Sequence, residues 1–255
     1  MKFCADFHLH TFASDGRCSV FEHAQKAVEN GLDVIALTDH GFASFVFHMT
    51  KGKFERQRKD IENCRGKYPN LRILQGVEAN LVNCKGDYDL PSDMTKKCDL
   101  IVIGFHRFLG IRRVLNGGKW LLINGYASRK KRERLIEQNT ISYINAIEKY
   151  TVDIIAHLNH RALVDVKRVC ESAKAHGVYI ELNEKHIDAL APYAKDIVDS
   201  GVNLIVGSDA HSAKRTGKFS KVERFIAEHN IPLDRVFGIE GNLPCFKKRV
   251  WQENV

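Results

Sequence analysis

Short apolar runs rich in β-branched residues alternate with amphipathic stretches along most of the chain. Seven runs read as strands: Lys2–His8, Val34–Thr38, Arg72–Val77, Leu100–Phe105, Asp153–Ala156, Val178–Leu182 and Leu204–Gly207. The intervals carry helical spacing. A first helix runs from a Ser19 N-cap through Asn30, with Gly31 as its stop. Others span Lys53–Gly66, Ser128–Tyr150, Asp165–His176, Leu190–Ser200 and Lys221–His229, and Gly177 and Gly201 fall where a helix C′ glycine belongs. Continuous apolar strands alternating with helices predict βαβ units and a parallel sheet buried on both faces. Seven repeats suit a closed barrel or a large doubly wound sheet. Two intervals break the rhythm: Gly41–Gly52, which carries Phe42, Phe45 and Phe47, and Arg107–Ala127, which has no clear period. Long loops of this kind inside a compact domain are often lids or binding loops.

Composition narrows the class. With 255 residues, 44% hydrophobic and 27% charged, the chain can bury a core without staples, which excludes a disordered or collagen-like chain. No apolar run approaches the ~18 residues of a membrane span, and the longest are Leu100–Phe105 and Trp120–Ile123. Asp6 interrupts the N-terminal apolar stretch too early for a signal peptide, so a cytoplasmic location with no membrane partner is expected. The seven cysteines include no Cys-x-x-Cys pair, which argues against a disulfide framework and a zinc ribbon. Thirty-nine basic against 31 acidic residues give a net charge of +8, favouring anionic partners such as phosphate esters, nucleic acid or an acidic surface. Twelve histidines are many, and their placement matters more than their number.

Metal-type side chains finish the strands. His8 and His10 end the first, Asp39 and His40 the second, Glu78 the third, His106 the fourth and His157 the fifth. Glu181 and Asn183 end the sixth, and Asp209 and His211 the seventh. In a parallel barrel all C-terminal strand ends meet on one face, where barrel active sites are built. A lone histidine after a strand is usually a satisfied polar residue; this many at successive strand ends are not explained that way. In His8-Leu9-His10 an i,i+2 spacing puts both imidazoles on one side, about 6.6 Å apart along an extended segment. Asp209-Ala210-His211 repeats the spacing. Imidazole with carboxylate suits zinc, manganese or iron, and the absence of thiolates argues against a structural Cys-type site. His8, His10, His40, Glu78, His106, His157, Asp209 and His211, with Asp15 as a further member, exceed the roughly three ligands of one catalytic zinc. They suffice for two or three ions, a device for phosphoester hydrolysis.

Six blocks in order carry a family resemblance: Asp6-Phe7-His8-Leu9-His10-Thr11, Ser14-Asp15-Gly16, Thr38-Asp39-His40-Gly41, Gly76-Val77-Glu78-Ala79-Asn80, Gly104-Phe105-His106 and Gly207-Ser208-Asp209-Ala210-His211. Together they resemble the PHP (polymerase and histidinol phosphatase) superfamily, above all its small stand-alone bacterial phosphoesterases. The resemblance implies a distorted (β/α)7 TIM-like barrel as one domain over residues 1–255, with a trinuclear site at the C-terminal strand ends. By matching motif, His8, His10, Glu78 and Asp209 would hold a first ion. Asp15, His40 and His211 would hold a second, with aspartate where the nearest branch has histidine. Glu78, His106 and His157 would hold a third, with Glu78 bridging. Leu158 stands where the family usually has proline after the histidine, and His160 is the alternative to His157. Three divalent ions, zinc or manganese with iron also compatible, are the expected cofactors.

Around this set, Asp6 and Asp39 are placed to receive the free N–H of a ligand imidazole. Arg107, Arg161 and Lys185 are candidate phosphate contacts, and Glu181 and Asn183 candidate pocket-lining residues. His23, His48, His176, His186 and His229 read as ordinary surface or packing residues. Arg129-Lys130-Lys131-Arg132-Glu133-Arg134 reads as a solvated helix face; it lacks the interleaved aromatics of a nucleic-acid contact. The expected activity is hydrolysis of a phosphate monoester by in-line attack of a metal-bound hydroxide, with Glu78, Asp209 and Arg107 as catalytic residues. The expected partner is a small phosphorylated substrate, a nucleotide among the candidates, and not duplex nucleic acid; oligomeric state is not readable. Within this class stand a 3′,5′-bisphosphate phosphatase, a short-oligonucleotide 5′-exonuclease and a histidinol-phosphate phosphatase. A non-catalytic metal-bound module is the alternative outside it. Amidohydrolase chemistry fits less well, because glutamate occupies the bridging place.

Overall fold

Strands whose two faces are both apolar must be covered on both, and the chain achieves this by curling its sheet. A computed structural model describes residues 1–43, 48–106 and 129–247, with backbone alone at 129–131. The strands are β1 (Ala5–Leu9), β2 (Val34–Leu37), β3 (Arg72–Asn80), β4 (Leu100–Gly104), β5 (Ile154–Ile155), β6 (Tyr179–Asn183), β7 (Leu204–Gly207) and β8 (Val236–Phe237). They pair in sequence order, every neighbour parallel. The sheet also meets itself across the seam. Leu9 bridges to Ala210, and the His10 amide donates to the Ala210 carbonyl at 3.0 Å. At the other end of the seam β8 intervenes, its flanking Gly238 carbonyl accepting from the Cys4 and Ala5 amides at 2.9 and 3.2 Å.

Seven of these strands match the predicted ones within a few residues. The eighth, Val236–Phe237, was not expected. β3 runs three residues past the predicted Val77, to Asn80, so Glu78 lies within a strand instead of after it.

Helix ends follow their caps. α1 (Val20–Glu29) has a complete capping box: Ser19 Oγ accepts from the Glu22 amide at 3.2 Å and the Glu22 carboxylate accepts from the Ser19 amide at 2.7 Å. Gly31 then takes φ 69°, a left-handed stop. α2 (Lys51–Lys67) starts earlier than predicted because Thr50 caps it. α3 (Ser92–Thr95) is short, and α4 (Arg129–Lys149) and α5 (Val166–Ala175, capped by Asp165) follow the expected spans. The helix predicted from Leu190 begins only at α6 (Ala194–Ser200), after two 3-10 turns, the second with Pro192 at its start. α7 spans Ser220–Glu228. Among the described residues no helix is long and apolar enough to cross a membrane.

Alternation along each strand separates two layers. Ile101, Ile103, Ile155, Ile180 and Val206 pack outward with apolar residues of the helices. Phe7, Val34, Ala36, Leu74, Leu100, Val102, Ile154 and Ile205 pack together inside the sheet. Continuing the inward series toward the C-terminal ends gives Thr38 and His40, Gly76 and Glu78, Gly104 and His106, and Gly207 and Asp209. The barrel therefore has an apolar floor, a layer rich in glycine, and a rim of ligand-type side chains. In β1 the pairing register shifts between Asp6 and Leu9, which lets Phe7 pack into the floor while His8, its neighbour, reaches the rim.

Replacing Ser19 with Ala removes the reciprocal cap. Unfolding free energy is expected to fall by about 1 kcal/mol, read as a lower denaturant midpoint at unchanged m-value.

Candidate metal centre

Nine sequence-predicted ligands meet at the rim. Glu78 is the hub, with its carboxylate oxygens facing five imidazoles: His157 Nε2 at 2.7 Å, His40 Nδ1 at 2.9, His8 Nε2 and His106 Nε2 at 3.5, and His10 Nε2 at 3.7. Asp15 forms a second focus, 3.2 Å from His211 Nε2, 3.4 from His40 Nε2 and 3.7 from His10 Nδ1. Asp209 forms a third, 3.3 Å from His211 Nδ1 and 3.6 from His10 Nε2. Among the described residues three groups bring their donor atoms close enough to hold an ion: His8, His10 and Glu78; His10, Asp15, His40 and His211; and His40, Glu78 and His106.

The backbone is bent to make this possible. Four described non-glycine residues have positive φ, and His157 (φ 30°) and Asp209 (φ 51°) are two of them. Such strain persists where surrounding structure over-determines it, and clusters at functional sites. The glycine layer serves the same end. A Cβ at Gly104 would come within 2.7 Å of Glu78 Oε1, and one at Gly207 within 2.0 Å of Glu181 Oε1.

Charge in the cage is finely opposed. Burial pushes the Glu78 carboxyl up, but His106, His8 and the other imidazoles hold it well below its usual range. Asp15 and Asp209 are likewise held low against burial, Asp15 by bonds to His211 and His40, and Asp209 by His8 and His10. Burial drives His10 well down, and His106 down to about 3. Burial also opposes charge on His8 and His40, yet the neighbouring carboxylates win: Glu181 and Glu78 raise His8, and Asp15 and Glu78 raise His40 to about 10. Ionised carboxylates among imidazoles are the donor set that zinc, manganese or iron takes. Glu78 Oε2 is in addition buried and, although His40 Nδ1 lies 2.9 Å away, makes no hydrogen bond of good geometry. A buried carboxylate oxygen in that state fits a cation ligand, so the residues present suit the implied metal.

The surrounding residues depart from expectation in instructive ways. Neither Asp6 nor Asp39 reaches an imidazole. Asp6 accepts backbone amides of His8, Ser208 and Gly217 at 3.3, 2.9 and 2.9 Å, tying β1 to the segment after β7; burial pushes its carboxyl up to about 6. Asp39 accepts from the amides of Thr11 and Ser14, from both their hydroxyls and from Gln57, and so fixes the loop that follows His10. Both were expected to orient rings, but both carboxylates are saturated by backbone and hydroxyl donors. The ring-orienting role falls to Glu181, expected to line the pocket. Its Oε1 lies 2.7 Å from His8 Nδ1 and its Oε2 accepts the His157 amide at 2.8 Å. Asn183, also expected to line the pocket, is fully buried and donates to Glu181 at 2.9 Å and to Asp209 at 3.4 Å. The signal for this was present: Glu181 and Asn183 sit at inward positions on β6, paired in register with Ile205 and Gly207 below the rim.

Lys185 reaches the rim, its Nζ 3.4 Å from Asp209 Oδ1, whereas Arg161 is exposed. His186 is not an ordinary surface residue: its Nε2 is 3.6 Å from Asp209 Oδ2 and its ring stacks on His160. His23 is a buried packing residue, with Nε2 2.9 Å from the His10 carbonyl and Nδ1 2.7 Å from Thr216 Oγ1. His157 faces Glu78; the His160 ring stands 5.9 Å from that of His157 and outside the three groups. Arg107 and the rest of the Arg107–Ala127 interval lie outside the described residues.

Comparison with known proteins agrees with this geometry. The PHP domain family model matches residues 6–185. A "probable phosphatase" of Acetivibrio thermocellus is 29% identical over 249 residues, covering 92% of this chain and 91% of that protein. Another of that description, from Caldanaerobacter subterraneus subsp. tengcongensis, is 30% identical over 249 residues, with coverage of 92% and 87%. Among solved structures, a histidinol phosphate phosphatase from Lactococcus lactis, complexed with zinc, L-histidinol and phosphate, superposes with a TM-score of 0.64 at 14% identity, covering 96% of this chain and 97% of that one.

Gly207→Ala should drive Glu181 off His8 and lower both the bound metal and the melting temperature. Gly66→Ala, in α2 with nothing within 4 Å of the new Cβ, should leave metal content intact and stabilise by up to about 1 kcal/mol. Elemental analysis of protein purified without chelator, with thermal melts, reads both.

Proposed function

The chain belongs to the PHP domain family, and on that premise we propose that it is a metal-dependent phosphoesterase that hydrolyses phosphate monoesters at the rim cage. One observation carries this reading: a single buried carboxylate, Glu78, has five imidazole nitrogens from four other strands within 3.7 Å. His8, His10, Glu78 and Asp209 would hold a first divalent ion, Asp15, His40 and His211 a second, and Glu78, His106 and His157 a third. Bound there, zinc, manganese or iron would place positive charge against the phosphoryl oxygens and lower the pKa of water.

The protein's own groups prepare the site. Glu181 accepts the Nδ1 proton of His8 and so turns Nε2 toward the cage, 3.0 Å from His10 Nε2. Asp39 holds Ser14, whose hydroxyl lies 3.5 Å from His10 Nδ1. Lys185 stands at the mouth, its Nζ 3.4 Å from Asp209 Oδ1, and with Arg161 adds positive charge beside the cage. The cage is sealed on one side and open on the other. His8 and Glu78 side chains are 2% and 1% exposed, whereas His106, His211 and Asp15 are 28%, 26% and 24% exposed. Structural metal sites are closed, while catalytic ones keep a position open, and this asymmetry favours turnover over a purely structural role.

Protein purified without chelator is expected to hydrolyse p-nitrophenyl phosphate, to lose activity in EDTA and to regain it with Mn²⁺ or Zn²⁺. His8→Ala combined with His10→Ala should lower kcat/KM by about 10²–10³-fold or more, with folding checked by circular dichroism; full activity in that variant would refute the reading. Glu181→Ala should weaken metal affinity by about 10–100-fold, measured by competition with a chromogenic chelator.

A further inference from the structure

A second imidazole pair stands beside the cage. The His160 and His186 rings stack with centroids 3.6 Å apart and planes 24° from parallel. Each meets His157 edge-on, at 5.9 and 5.8 Å. His186 Nε2 lies 3.6 Å from Asp209 Oδ2, and Lys185 Nζ lies 3.4 Å from Asp209 Oδ1. Among the described residues nothing hydrogen-bonds a ring nitrogen of either histidine, and His160 Nε2 is buried. Polar groups taken out of water normally have partners, so an unfilled pair at an active-site mouth calls for an occupant. A further metal ion is a poor one: these rings and Asp209 do not bring three donor atoms together as the three cage groups do.

The local chemistry selects an anion. An imidazole carries at least one N–H donor in either protonation state, and an ammonium carries three. Arg161 lies close enough to act on His160 and adds a further positive charge. The carboxylate that faces the pair, Asp209, is already directed at His10 and His211.

We propose that His160, His186 and Lys185 form a subsite for a second anionic group on the leaving-group side of the substrate. The preferred substrates are then phosphate esters that bear another oxyanion, a carboxylate or a further phosphate, a few bonds from the ester oxygen. This rests on the phosphoesterase reading above and specifies which esters that site prefers.

The test compares two esters of the same size, 3-phosphoglycerate and glycerol 3-phosphate, which differ by a carboxylate in place of a hydroxymethyl group. With the Mn²⁺-loaded enzyme, kcat/KM should favour the carboxylate ester by about tenfold or more, since a charge-assisted hydrogen bond contributes at least that much. In His160→Ala and His186→Gln the ratio should fall to within about threefold of unity, mainly through KM, with rates normalised to bound metal. Lys185→Met should shrink the ratio too; this side chain is 44% exposed, so the variant keeps the test usable if a histidine variant does not fold. A wild-type ratio near unity, a ratio preserved in the variants, or an equal loss on both esters would overturn the subsite. Hydrolysis of p-nitrophenyl phosphate without any preference sinks the subsite alone, whereas no hydrolysis of any ester sinks the phosphoesterase reading and the subsite with it.

Discussion

A carboxylate buried to 1% exposure and still ionised is the constraint on which the rest of this molecule depends. Glu78 would cost several kcal/mol to bury uncompensated. Its compensation is not local: the imidazoles that face it come from the ends of β1, β2, β4 and β5. The register of five strands is therefore coupled to one side chain. That coupling runs both ways, since the same carboxylate raises His8 and His40 against the burial that would neutralise them. Positive charge is what this cluster lacks, and protons on two imidazoles or divalent ions are the alternative ways to supply it.

The barrel makes such a cluster affordable by stacking three chemistries along each inward column. Phe7, Leu74, Val102 and Ile205 form an apolar floor that excludes water from below. Gly104 and Gly207 then give up their side chains to the carboxylates of Glu78 and Glu181, which occupy the space a Cβ would need, while a Cβ at Gly76 would meet the Leu100 carbonyl at 2.8 Å. Only above this layer do the ligand-type residues appear. The glycines in Gly76-Val77-Glu78, Gly104-Phe105-His106 and Gly207-Ser208-Asp209 thus share one place in the inward columns. Each lies two residues before a cage residue, one step down the same inward face.

Much of this was legible in the sequence because period-two burial and strand-end chemistry are local signals. Seven strands, the Ser19 cap and the nine rim residues follow from short windows. What was not legible depended on long-range pairing. β8 is two residues long and exists only because the seam between β1 and β7 needs filling. Asp6 and Asp39 stand beside histidines in sequence, which suggested ring-orienting roles, but amide and hydroxyl donors from Ser208, Gly217, Thr11 and Ser14 reach them first. Glu181 is 173 residues from His8, and nothing in either segment announces the pairing. The stack of His160 on His186 is likewise visible only once the loops after β5 and β6 are adjacent.

The distribution of exposure says which of these couplings serve stability and which serve chemistry. Glu181, Asn183, Asp39 and Gln57 are buried, and each ends in hydrogen bonds to other protein groups. They lock the sealed side of the cage and have no capacity left for a ligand. On the open side the pattern reverses: the His160 and His186 rings and the Lys185 ammonium keep hydrogen-bonding capacity that the described residues do not use. A site built only to hold metal would gain nothing from unfilled donors at its mouth, since each costs desolvation without return. Donor capacity left unspent at the mouth, beside the hydrogen-bonded Glu181 and Asn183, suits a surface shaped for something that arrives and leaves.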